Sequence, residues 1–188
     1  ADLRSFNSLK KMQGVFCDCP SFTTFHFPPN ICHVNQSFNS CPKLERLTFH
    51  NLPQLDELSQ SFIEDRSGRY FGTMGMGWSR EFVPEWPDYA PGEGLSEVVF
   101  GALPALSNID DIFGERNLTT LHLGDLENLR VLSLPLESPT LERVTIGNMP
   151  NLERIVYFCS HCPSLESVVF GELPSLRNAE SAVFLGNT

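Results

Sequence analysis

No apolar run in this 188-residue chain approaches the roughly 20 residues that a membrane-spanning helix requires, and the opening ADLRSFNSLKKM lacks the apolar core of a signal peptide. Positive charge is also scarce. Thirteen Lys and Arg, scattered along the chain, stand against 23 Asp and Glu, for a formal net charge of −10. Phosphate binding needs clustered cations, so nucleic acid is excluded as a partner class and a basic ligand fits better. The motifs of self-contained catalysis are missing too: there is no G-x-S-x-G, no phosphate-cradling glycine loop and no H-E-x-x-H. Asp110-Asp111 beside Glu115 reads as a solvated turn, and His26, His50 and His122 stand on nonadjacent coils or in offset columns, which gives no triad. Cys17-Asp18-Cys19 and Cys159-Ser160-His161-Cys162 have metal-ligand spacings but lie about six coils apart, whereas a closed zinc site needs four converging ligands. No enzyme activity, cofactor or metal is therefore expected.

What is present is repetition. At 41% hydrophobic and 19% charged, the composition is that of one folded domain, 1–188. Within it L-x-x-L-x-L-x-x-L-x-x-L recurs as Leu44-ERLTFHNLPQL, Leu95-SEVVFGALPAL, Leu118-TTLHLGDLENL, Leu141-ERVTIGNMPNL and Leu165-ESVVFGELPSL. Upstream, Leu9, Met12, Phe16, Cys19, Phe22, Phe25 and Phe27 return 22 residues later as Ile31, Val34, Phe38, Cys41, Leu44, Leu47 and Phe49. Each unit holds a short alternating stretch, such as Val98-Val99-Phe100, with the period of two of a strand, and then L-P-x-L turns the chain back. A lone coil buries too little apolar surface to offset the ordering of its backbone, so the units are stable only as a stack with protected ends. About seven coils are expected, with Phe49, Phe100, Leu123, Ile146 and Phe170 in one inward row. Neither terminus reads as a cap, so the chain is expected to be a fragment of a longer protein or to dock at one end.

This spacing resembles the leucine-rich-repeat superfamily, and Phe16-CDCPSF with Phe38-NSCPKL is similar to BspA-like surface-protein repeats. The resemblance implies an α/β-type solenoid: a curved stack with a parallel sheet on the concave face, an irregular or short helical convex side, and binding through the concave sheet. Cys19, Cys41 and Cys162 would then fill a buried small-residue position, where a thiol behaves as a small hydrophobe. Cys19 and Cys41, equivalent sites about 5 Å apart in neighbouring coils, are close enough for a bridge.

The residues between the inward ones supply the candidate partner-binding face: Arg46, Thr48 and His50, then Glu97 and Val99, His122, Arg143 and Thr145, and Val169. Next to this face runs a glycine column, Gly101, Gly124, Gly147 and Gly171. It is expected to serve positive φ at the strand exit in preference to close approach by a partner. Residues 66–94 break the repeat with an insertion that holds both tryptophans and two of the three tyrosines. Tyr70, Trp78, Trp86 and Tyr89 join the candidate binding set, since such side chains anchor interfaces. Two N-x-S/T tripeptides, at Asn35 and Asn117, are candidate glycosylation sites. Together with six cysteines they suit an extracellular or cell-surface protein. The expected function is protein–protein recognition or adhesion. The alternative is a cytoplasmic recruitment or sensing domain, as in a ubiquitin-ligase adaptor or immune-type receptor.

Overall fold

The computed structural model describes residues 1–39, 41–50, 52–62, 95–110, 112–113, 117–134, 136, 138–159 and 162–180. Among the described residues there are twelve strands in two parallel sheets, alternating from β2 onward, and no helix. The three-residue strands are β1 (Lys11–Gln13), β2 (His33–Asn35), β4 (Glu57–Ser59), β6 (Asn108–Asp110), β8 (Val131–Ser133), β10 (Arg154–Val156) and β12 (Asn178–Glu180). They form a seven-stranded sheet in the order β1-β2-β4-β6-β8-β10-β12. The four-residue strands β3 (Arg46–Phe49), β5 (Glu97–Phe100), β7 (Thr120–Leu123), β9 (Arg143–Ile146) and β11 (Ser167–Phe170) form a five-stranded sheet in the order β11-β9-β7-β5-β3.

The molecule is thus a β-solenoid, as the repeat requires, but the α/β class does not hold: the side expected to be irregular or helical is a second parallel sheet. Nor does the count of seven coils hold, because both strands are present in only about five turns. The physical reason lies in x-x-φ-x, where φ is apolar, after each L-P-x-L. Three extended residues present one inward side chain, and identical segments stacked above and below complete their backbone hydrogen bonds. Arg46 pairs with Glu97 and Glu57 with Asn108, so the turns flanking residues 63–94 are direct neighbours.

Each sheet contributes inward columns. Leu47, Val98, Leu121, Val144 and Val168 form one column of the five-stranded sheet, and Phe49, Phe100, Leu123, Ile146 and Phe170 form the other, the single row expected. Met12, Val34, Leu58, Ile109, Leu132 and Ile155 do the same in the seven-stranded sheet, and all are buried. Between the sheets run two phenylalanine stacks. Phe16, Phe38, Phe62 and Phe113 follow one another at ring-centroid separations of 5.5, 5.0 and 5.9 Å, and Phe27, Phe49 and Phe100 at 4.9 and 4.6 Å.

The corners after β1, β2, β4 and β6 carry Phe16, Phe38, Phe62 and Phe113 inward. Those after β2 and β4 place residues two apart at positive φ, Gln36 and Phe38 (49° and 61°) and Gln60 and Phe62 (46° and 61°). Such a conformation is costly for a bulky side chain and persists where packing over-determines it. Here buried serines secure it. Ser61 Oγ donates to Ser59 O (2.8 Å) and accepts from the Ser37 amide (3.1 Å), while Ser37 Oγ donates to Asn35 O (2.9 Å). The L-P-x-L corner has its own ladder, in which Asn128, Asn151 and Ser175 donate to the carbonyls of Pro104, Glu127 and Pro150 in the preceding turn.

Candidate functional site

The alternation that buries Leu47 and Phe49 turns Arg46 and Thr48 outward, and strand pairing aligns their counterparts. One outward column runs Arg46, Glu97, Thr120, Arg143 and Ser167, and the other Thr48, Val99, His122, Thr145 and Val169. The structure thereby brings together the candidates Arg46, Thr48, Glu97, Val99, His122, Arg143, Thr145 and Val169 on one face of the five-stranded sheet. His50 lies just beyond β3 and is exposed. It sits at the edge of this face beside Gly101, whose Cβ position lies 3.8 Å from His50 Nδ1. Charge on the face is internally matched: Arg46 pairs with Glu97 across neighbouring strands, and Arg143 pairs with Glu142 at 3.1 Å. Val99, half-buried, and Val169, 54% exposed, supply the apolar area of the face. Tyr70, Trp78, Trp86 and Tyr89 lie outside the described residues, as do Asp111, Glu115, Ser160 and His161.

The glycine column departs from expectation. Gly101, Gly124, Gly147 and Gly171 do not have positive φ. A Cβ on Gly124 would stand 2.5 Å from Phe100 O and 2.6 Å from Gly101 O, and one on Gly147 or Gly171 would stand 2.6 Å from the carbonyl carbon of the glycine one turn before. These residues let successive turns approach each other, and the neighbour that comes close is the chain itself. Asp125 and Asn148 complete the corner by accepting from the amides of Asn148 and Glu172 at 2.8 and 2.9 Å.

The outer face of the seven-stranded sheet holds a polar cluster that the sequence reading did not assemble. His33 Nδ1 approaches Asp56 Oδ1 to 3.0 Å and Glu57 Oε2 to 3.5 Å. Glu57 Oε1 accepts from Ser59 Oγ (3.0 Å) and Asn35 Nδ2 (3.4 Å). The signal was the tripeptide on either side of each inward residue, His33-Val34-Asn35 and Glu57-Leu58-Ser59, which reads as strand only once stacking is assumed. Asn35, a candidate glycosylation site, is therefore a half-buried strand residue, and the hydroxyl of its Ser37 is buried and hydrogen-bonded. Asn117 is half-buried just before β7.

All six cysteines are thiols. Cys41 is buried and donates to Phe16 O at 3.0 Å, while Cys19 turns to Cys17 O at 3.4 Å. The hydrogen bond to Cys162, reinforced by burial, pushes the Cys159 thiol far above its ordinary range, and burial also raises Cys17. Raised thiols hold few thiolates and make poor nucleophiles. Among the described residues no group of three or more His, Cys, Asp or Glu is arranged to hold a metal ion, and no helix is long and apolar enough to cross a membrane. No protein-family model, curated protein or solved structure matches the chain.

Proposed function

We propose that this chain is a recognition scaffold that holds a protein partner on the outer face of its five-stranded sheet and performs no catalysis. The observation that supports the reading is the in-register pair of outward columns, which fixes Thr48, Val99, His122, Thr145 and Val169 on a rigid parallel ladder. Such a face offers a preorganised surface, so a partner that docks there orders few side chains on binding. Mixed polarity with matched charge suits a protein partner better than a polyanion. The leucine-rich-repeat likeness points the same way, and the N-x-S/T tripeptide at Asn117 supports a location outside the cell or on its surface.

The test is crosslinking and pull-down from extracts of the native source, comparing the unmodified chain with Val99→Glu/His122→Glu. Both side chains leave the sheet outward, and circular dichroism checks that the variant keeps the fold. Loss of the specific partners by about tenfold or more supports the reading. Equal capture by the variant and the unmodified chain removes this face from consideration. Mass spectrometry for glycan at Asn35 and Asn117, with a thiol count on native protein, decides between the surface location and a cytoplasmic one.

A further inference from the structure

We propose that Cys159 and Cys162 are a dithiol–disulfide pair, a modification site between β10 and β11 at which a small disulfide oxidant such as oxidised glutathione forms a Cys159–Cys162 bond. The repeat brings both sulfurs inward at one corner. Tyr157 and Cys159, at positive φ (53° and 51°), follow β10 as Gln36 and Phe38 (49° and 61°) follow β2. Cys159 therefore stands where Phe38 enters the ring stack. Cys162, three residues on, stands where Cys41 follows Phe38. Hydrogen bonds to the preceding turn keep the same register: Cys41 donates to Phe16 O at 3.0 Å, and Cys162 to Leu136 O at 3.7 Å.

Where the corner after β2 packs a ring beside one thiol, this corner packs two thiols. Both are fully buried, and Cys159 donates to the Cys162 sulfur. Sulfurs in hydrogen-bond contact, carried by side chains that converge on one point, need only modest torsional adjustment to bond. The bond suits its surroundings, because a disulfide is apolar and the S–H donors it removes are weak. Thiols elsewhere are directed at backbone: Cys17 donates to Gln36 O at 3.3 Å and Cys19 to Cys17 O at 3.4 Å.

As the donor in the shared hydrogen bond Cys159 keeps its proton longer, so Cys162 supplies the attacking thiolate. Its sulfur attacks one sulfur of the oxidant, breaking the oxidant's S–S bond, forming a mixed disulfide and releasing one thiolate. Cys159 then loses its proton and attacks Cys162 Sγ, which expels the second thiolate. The two protons end on the two thiols released, and the two electrons lost by the pair reduce the oxidant. Burial makes each step wait on local opening of the corner, so exchange is slow. Its equilibrium is a separate matter: a bond that fits the folded corner forms more readily in the folded chain than in the unfolded one.

The test equilibrates the 188-residue chain, folded and in urea, across a series of reduced and oxidised glutathione mixtures. Equilibrium is approached from both the reduced and the oxidised side, so slow exchange does not obscure the outcome. Acid quenching, alkylation with iodoacetamide and peptide mass spectrometry then read each cysteine. In the folded chain the peptide holding Cys159 and Cys162 is expected to resist alkylation and to be lighter by two hydrogens, while Cys17, Cys19, Cys32 and Cys41 are alkylated. Its equilibrium constant for oxidation should exceed that of the same pair in urea by about tenfold or more. An equal or smaller constant in the folded chain overturns the proposal, because the folded corner then gives the bond no advantage. Recovery of Cys159 or Cys162 joined to glutathione or to another cysteine at equilibrium overturns it as well.

Discussion

Single atoms decide the close contacts. At Gly124 a methyl group would overlap two backbone carbonyl oxygens of the preceding turn, and backbone cannot swing aside as a side chain can. Gly124→Ala is expected to destabilise by about 2–3 kcal/mol, read as a lowered urea midpoint. Gly101→Ala meets one oxygen at 3.0 Å and should cost less. Ser61 makes a related point about polar atoms: removing its hydroxyl leaves the buried Ser37 amide without its acceptor. Ser61→Ala should therefore cost about 1–3 kcal/mol. Ser37→Ala should cost less, since the amide it releases, that of Val15, sits at 3.4 Å. The thiols add a pH dependence. Cys159 is held protonated by its bond to Cys162 and by burial, and Cys17 by burial, so both have raised values in the folded state. Between the ordinary thiol value of about 8.5 and those raised values the unfolded chain binds fewer protons, and stability falls as pH rises. Urea midpoints should hold steady below about pH 8.5 and decline above it. In Cys159→Ala the decline should be shallower, and an equal slope in both proteins would assign the effect elsewhere.

Elements explain what the sequence revealed and what it concealed. The five-stranded sheet was legible because Leu47-Thr48-Phe49 and its counterparts put two apolar residues on one side of the strand, with a polar residue between them in all but Val98-Val99-Phe100 and Val168-Val169-Phe170. The seven-stranded sheet was not, since Glu57-Leu58-Ser59 or Asn108-Ile109-Asp110 shows a single inward residue. With its neighbour Leu55 or Leu106 three positions earlier, that residue suggests a helical or irregular spacing. Only the stacked neighbour makes it a strand, and that information lies one turn away. Hence the candidate face emerged as columns, whereas the cluster of His33, Asp56 and Glu57 did not. The glycine column was visible, but its cause is a contact between turns, which spacing alone cannot report. The phenylalanine stack links both sheets: Phe62 lies against Phe38 at 5.0 Å with rings almost parallel, and near Phe49 and Phe113. Phe62→Ala should cost about 3–5 kcal/mol and perturb amide signals in β3 and β4 alike; an effect confined to β4 would mean that the two sheets are held independently.

At the scale of the molecule, stability is a sum over turns and their interfaces, so position along the stack matters as much as residue type. Leu123 is fully buried with Phe100 below it and Ile146 above, whereas Phe170, in the same column, has among the described residues a neighbour on one side only and is 41% exposed. Removing the central side chain breaks contacts on both faces of a turn whose loss separates the remaining turns into two short stacks. Removing Phe170 loosens a turn that, among the described residues, one neighbour supports. Leu123→Ala is therefore expected to cost about 2–5 kcal/mol and to move the main unfolding transition. Phe170→Ala should cost roughly 1 kcal/mol and leave that transition nearly in place. Hydrogen exchange separates the two cases directly. In the unmodified chain protection should be greatest in β5 through β9 and should fall toward β1 and β12, as local opening begins where neighbours are fewest. Phe170→Ala should accelerate exchange in β11 and β12 alone, while Leu123→Ala should accelerate it throughout. Uniform protection from β1 to β12, unchanged in pattern by Phe170→Ala, would mean that the stack opens only as a whole and that its ends are supported by contacts beyond nearest neighbours.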